Sequence, residues 1–126
     1  MTGNRRIGER TAIEPTDITW LPVQKKPRLR RRTKPKPALL VQLSVTGAGV
    51  VAPADFAVHA GTRAVIEIDG LHGLVEVRHI EPSNDPFMSL YGVEFLSLDP
   101  KLSQRINRTL SAGSVALVNP APRRRD

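Results

Sequence analysis

From Leu39 to Gly49 the chain reads LLVQLSVTGAG, and side chains of different character alternate along it. Leu39, Val41, Leu43 and Val45 fall on one side of a period of two, and Leu40, Gln42, Ser44 and Thr46 fall on the other. That period predicts a strand over about 38–46 with one buried face, and it puts Gln42 and Ser44 together on the opposite face. Gly47 and Gly49 then end the strand in a permissive turn. A dry face backed by small polar side chains and a close-approach glycine is a surface able to brace a ligand.

Similar patterns recur along the chain. Ile13–Val23 reads as an extended segment whose Pro15 and Pro22 confine it to a sheet edge or break it into pieces. Ala48–Val51 is a short strand before Pro53, and Arg63–Asp69 is another, with Val65, Ile66 and Ile68 apolar. Asp69-Gly70 opens a turn region that ends near Gly73. Leu74–Ile80 continues the meander with Val75, Val77 and His79 on one face. Residues 81–87 are loop by composition, and Ser89–Leu96 carries Tyr91, Val93 and Phe95 on one face.

After Leu98 the spacing changes. Leu102, Ile106 and Leu110 step by four, so they form a packing stripe, while Lys101, Gln104, Arg105 and Arg108 face outward. Asp99 as a cap, Pro100 at the first helical position and Gly113 as a stop bound a helix at about 100–111. Val115–Val118 reads as a last short extended piece. Short strands at near-regular spacing followed by one helix predict an all-β domain: a small antiparallel barrel with a C-terminal helix.

Composition supports one domain of 126 residues. Only five side chains are aromatic, so valine, leucine and isoleucine fill the core, and eleven prolines and nine glycines cut the chain into short elements. Without cysteine there is neither a disulfide nor a thiolate metal site. His59, His72 and His79 lack metal-ligand spacing. The opening MTGNRRIGER has no apolar signal core, and no run is long enough for a membrane span, which predicts a cytoplasmic protein.

Charge divides the chain further. The net +7 is concentrated in residues 25–36, which hold eight basic side chains and no acidic one, and in the tail 123–126. Residues 40–120 hold five basic and eight acidic side chains. The reading is therefore an arginine-containing arm at 1–12, a barrel over 13–118 with a basic loop at 24–37, and a disordered basic tail at 119–126.

The order of features resembles a known family. An arginine pair spaced Arg6-Ile-Gly-Glu-Arg10 precedes Gln42-Leu-Ser44-Val-Thr-Gly47. The hairpin run GTRAVIEIDGLHGLVEVRHI follows, and then Tyr91-Gly-Val-Glu-Phe-Leu ahead of a helix. Over roughly residues 5–112 this is similar to the PilZ domain, the bacterial receptor module for cyclic di-GMP. The resemblance implies a six-stranded antiparallel barrel with a C-terminal helix. Its RxxxR motif falls on Arg6 and Arg10, with Arg5 as an available neighbour. Its [D/N]xSxxG motif falls on Gln42, Ser44 and Gly47, and Gln42 departs from the family's Asp or Asn. Losing one charge-assisted contact there costs on the order of 1–3 kcal/mol, or tenfold and more in affinity.

Arginine suits this ligand because its planar fork pairs with phosphate or with guanine O6/N7, and it also stacks on bases. An arm that orders over the Gln42/Ser44 face would close the site, with no cofactor or metal required. Each residue also has a plainer reading. Arg6 and Arg10 are then solvated charges, Ser44 satisfies its own turn, Gly47 serves a positive φ, and Gln42 is an exposed strand residue. The basic run reads as a solvated loop, as extra phosphate contacts, or as a nucleic-acid or anionic-membrane attachment.

Three functions follow: a cyclic di-GMP-binding signalling module acting on a downstream protein, a PilZ-like adaptor that binds no ligand, and a basic nucleic-acid-binding barrel. No enzyme motif is present. Ser44 lies outside a GxSxG elbow, and Gly47-Ala-Gly49 is too short for a dinucleotide loop.

Overall fold

The structure, a computed structural model, describes residues 10–23 and 34–117. Six strands and a helix follow in chain order. They are β1 (Thr11–Pro22), β2 (Lys36–Leu43), β3 (Gly47–Pro53), β4 (Arg63–Ile68), β5 (Leu71–Pro82), β6 (Met88–Leu98) and α1 (Pro100–Ser111). All pairings are antiparallel, and the order β1-β2-β3-β6-β5-β4 closes into a barrel because β1 also pairs with β4.

Alternation builds the core. Trp20, Leu40, Val50, Ile66, Val75, Val77, Tyr91 and Val93 all point inward and are buried. The rings of Trp20 and Tyr91 stack with centroids 5.1 Å apart and an interplanar angle of 21°. Such a pair adds about 0.5–1.5 kcal/mol beyond the area it buries. The Tyr91 hydroxyl donates to the Pro53 carbonyl at 3.0 Å, so the phenol is buried without an orphaned polar atom.

Several expectations change. The alternation in β2 does not run unbroken from Leu39 to Val45. Ala38, Leu40 and Leu43 are buried, Leu39 and Val41 are half-buried, and Val45 is exposed. The β2–β3 register shifts between Leu40 and Gln42, and that irregularity moves the inward phase from even to odd positions. The strand then stops at Leu43. Gly47 and Gly49 belong to β3, and neither has a positive φ.

β1 is one unbroken strand of twelve residues, and its Thr19–Pro22 end lies between β2 and β4, while the stretch that holds Pro15 pairs with β2 alone. Pro15 falls where the β1–β2 register shifts between Ala12 and Thr16, and Pro22 is the last residue paired with β4. Proline is tolerated at both places because no regular ladder bond is required of its nitrogen. The Asp69-Gly70 turn is two residues long, with φ of 51° and 82°, so β5 starts at Leu71 rather than Leu74.

In α1 the Asp99 side chain accepts from Lys101 N–H at 2.9 Å, Pro100 opens the helix, and Gly113 follows its end at φ 66°. Leu102 and Ile106 are buried as expected. Arg105 is not outward-facing. It is buried, and its guanidinium meets Asp69 of the β4–β5 turn at 3.1 Å. Residues 114–117 are coil and bends rather than a strand, joined to β1 by a bond from Glu14 N–H to the Val115 carbonyl. Arg5 and Arg6, most of the basic run and the tail lie outside the described residues. Of that run, Lys36 and Pro37 belong to β2.

Candidate functional site

Ser44, Val45, Thr46 and Gly47 make the turn between β2 and β3, and Ser44 organises it. Its hydroxyl accepts from the backbone N–H of Gly47 at 2.9 Å and of Thr46 at 3.2 Å, and it donates to the Gly47 carbonyl at 3.2 Å. One donor and two acceptor sites are thus taken up locally. Ser44 is buried, and its hydrogen-bonding capacity goes to holding Gly47 in place.

Gly47 is required by close approach. A β-carbon there would run into the carbonyl oxygen of Val93 on β6 and stand 3.3 Å from the Arg10 guanidinium. Arg10 lies half-buried over this spot and donates to the Val93 carbonyl at 3.1 Å. Its Nε is buried with no hydrogen-bond partner among the described residues. Burial lowers the guanidinium pKa, and nearby Glu81 partly offsets this. Arginine stays charged in proteins, so this cation is held with incomplete compensation.

The next row of the outer surface is made by four residues in register: Gln42 on β2, Gly49 on β3, Gly92 on β6 and His79 on β5. The Gln42 amide lies on Gly49, where a β-carbon would meet Oε1 at 2.6 Å, and the His79 ring lies on Gly92. His79 is carried outward by the register shift between Val77 and itself, so it does not share the buried face of Val75 and Val77. Its Nε2 is 3.5 Å from Glu81. Beyond this row Arg78 is paired with both Glu94 and Glu76.

The arrangement therefore brings together Arg10, the Ser44–Gly47 turn and Gln42, which are distant in sequence, and adds Gly49, Gly92 and His79 to the same face. A desolvated guanidinium beside glycine backbone is suited to an anion, and the flat glycine surface is suited to a planar group. Over residues 5–112 the chain matches the family model of the PilZ domain.

The chain belongs to the PilZ domain family. PilZ domains are generally cyclic di-GMP receptor modules, binding and adaptor units rather than enzymes. No curated protein matches the chain. In this PilZ domain the second arginine of RxxxR lies against the barrel beside the glycine that ends the second motif, while Arg5 and Arg6 fall outside the described residues. From sequence alone, Gly49 was read as a turn glycine and His79 as sharing a face with Val75 and Val77, and neither they nor Gly92 were assigned to the site. The signal for them was the cross-strand register, which periodicity within one strand does not carry. Among the described residues no group of His, Cys, Asp or Glu is placed to hold a metal ion, and no helix is long and apolar enough to cross a membrane.

Proposed function

We propose that this PilZ domain is a cytoplasmic bacterial receptor for cyclic di-GMP that passes the signal to a partner protein by contact, without catalysis. The observation that carries the reading is Arg10: a half-buried guanidinium beside the Ser44–Gly47 turn, its Nε without a partner among the described residues. A phosphate there supplies the anion that burial has withheld. Arg6, with Arg5 next to it in sequence, is assigned to the same ligand by the RxxxR spacing. Gln42 offers its amide from the neighbouring position, and Ser44 acts by fixing Gly47.

Calorimetric titration of the full chain with cyclic di-GMP at two salt concentrations tests this. Submicromolar binding is expected, weakened at least tenfold in Arg6→Ala and in Arg10→Ala, since a charge-assisted hydrogen bond contributes about 1.5–3 kcal/mol. Unchanged affinity in both variants removes the arm from the site.

A second reading draws on Gln42, whose amide already covers Gly49. If wild type binds no cyclic di-GMP, the domain is a ligand-independent adaptor. Steeply salt-dependent DNA or RNA binding in its place moves the function to the basic run.

A further inference from the structure

We infer that Phe56 and Phe87 insert into the headgroup layer of an anionic phospholipid bilayer and set down on it the barrel end opposite the Ser44–Gly47 turn. This goes beyond the cyclic di-GMP reading and does not depend on it.

The antiparallel order sorts the connections. The β2–β3 turn, the β4–β5 turn and the passage into α1 lie at one end of the barrel, and the β1–β2, β3–β4 and β5–β6 connections lie at the other. Phe56 is in the β3–β4 connection and Phe87 in the β5–β6 connection. Both rings stand in water, 105% and 80% exposed. The chain has three phenylalanines, so two of the three are placed outside the core. A single exposed apolar side chain is ordinary, whereas two large ones on adjoining loops make a patch with a use.

Neither loop is loosely made. Ala54 N–H donates to the Phe87 carbonyl at 3.0 Å, which ties the two loops together. Asp55 Oδ1 accepts from Ala57 N–H, and Asp85 Oδ1 accepts from Phe87 N–H, both at 2.9 Å. Each phenylalanine therefore lies in a turn folded on an aspartate. Val58, two residues past Phe56, is buried and anchors that loop. The rings are held out from the barrel by built turns.

Charge names the occupant. The chain leaves β1 at Pro22 and enters β2 at Lys36, both at this end, and residues 25–36 hold eight basic side chains and no acidic one. Of these Lys34 and Lys36 are described and exposed, and Arg63 opens β4 at the same end. The two phenylalanine loops carry one acidic side chain each, Asp55 and Asp85, so basic charge prevails. Basic segments are drawn to anionic headgroups, and aromatic rings settle at the bilayer interface. One such signal alone gives marginal attachment, while two together hold. A second copy docked end to end would set this basic stretch against its own like. The basic stretch contains no aromatic side chain on which the bases of a nucleic acid could stack along it.

The full chain is sedimented with vesicles of phosphatidylglycerol mixed with phosphatidylcholine, and with vesicles of phosphatidylcholine alone. Wild type is compared with Phe56→Ser, Phe87→Ser and the double variant, with melting temperature followed in parallel. Because the chain has no cysteine, Phe87→Cys also accepts a single nitroxide label. The expected result is salt-sensitive binding of wild type to the phosphatidylglycerol vesicles only. The double variant should lose at least tenfold in affinity with unchanged melting, since a ring withdrawn from water contributes about tenfold or more. On those vesicles the label should gain collisions with oxygen and lose them with a water-soluble nickel complex. Wild-type affinity in the double variant, equal binding to neutral vesicles, no vesicle binding, or a label that stays in water overturns the proposal. Self-association or oligonucleotide binding that needs the two rings, in place of vesicle binding, also overturns it and assigns this end to a second copy or to nucleic acid.

Discussion

Gln42 and Gly49 interlock across the β2–β3 pairing: the amide oxygen stands 2.6 Å from the point a β-carbon on Gly49 would occupy. The extra methylene that separates Gln from the family's Asp or Asn is what lets the amide reach this far. Gln42→Asp retracts the group from Gly49 and puts a carboxylate where the family has Asp or Asn. Cyclic di-GMP affinity should rise about tenfold, in line with one recovered charge-assisted bond. Calorimetry checks this, and equal affinities would show that the side chain at 42 does not read guanine.

Gly47→Ala should destabilise the domain by roughly 1–3 kcal/mol, because the new methyl meets a main-chain oxygen that cannot rotate away. Gly73→Ala makes a useful contrast. There the nearest atom is the tip of Leu98, at 2.5 Å, and a side-chain end can shift. Urea unfolding of both variants should give the larger loss at position 47.

Tyr91 predicts a loss of stability in alkali. Burial raises its phenol above the ordinary value of 10.0. The native state therefore favours the protonated form, and the contribution is complete below about pH 10 and lost as pH rises through the raised native value. Tyr91→Phe should flatten that part of the pH profile. At neutral pH it should cost about 1 kcal/mol through the lost bond to Pro53. Thermal melts from pH 8 to 11 on both proteins measure the difference.

Asp69→Asn keeps a side chain that tolerates the positive φ of 51° at this turn and removes the charge facing Arg105. The carboxylate is largely open to water, so the loss should be about 1 kcal/mol and should shrink at high salt. Denaturation at two ionic strengths checks it.

The fold was legible where local chemistry decides it. Asp99-Pro100 and Gly113 bounded the helix, Asp69-Gly70 announced a turn, and Val75, Val77, Tyr91 and Val93 faced the core as their alternation required. What went unread depended on partners across the barrel. The register shift after Leu40 reversed the phase of β2, and closure gave β1 a second neighbour despite its prolines. Arg105 was turned inward by a carboxylate thirty-six positions away in sequence. At the site, Arg10, Gln42, Ser44 and Gly47 could be named from sequence order. Neither the inward use of the Ser44 hydroxyl nor the pairing of His79 with Gly92 can be deduced from within one strand.

Closure of β1 onto β4 has a further consequence. A sheet with open edges invites strand addition, the mechanism behind many peptide complexes and much aggregation. Every strand here already has two hydrogen-bonded neighbours. Yet β4 covers only Thr19–Pro22 of β1, and on the stretch it leaves uncovered Glu14 N–H is taken by the Val115 carbonyl. Where strands are paired on both sides, only side chains on the outer wall are left for another molecule to meet.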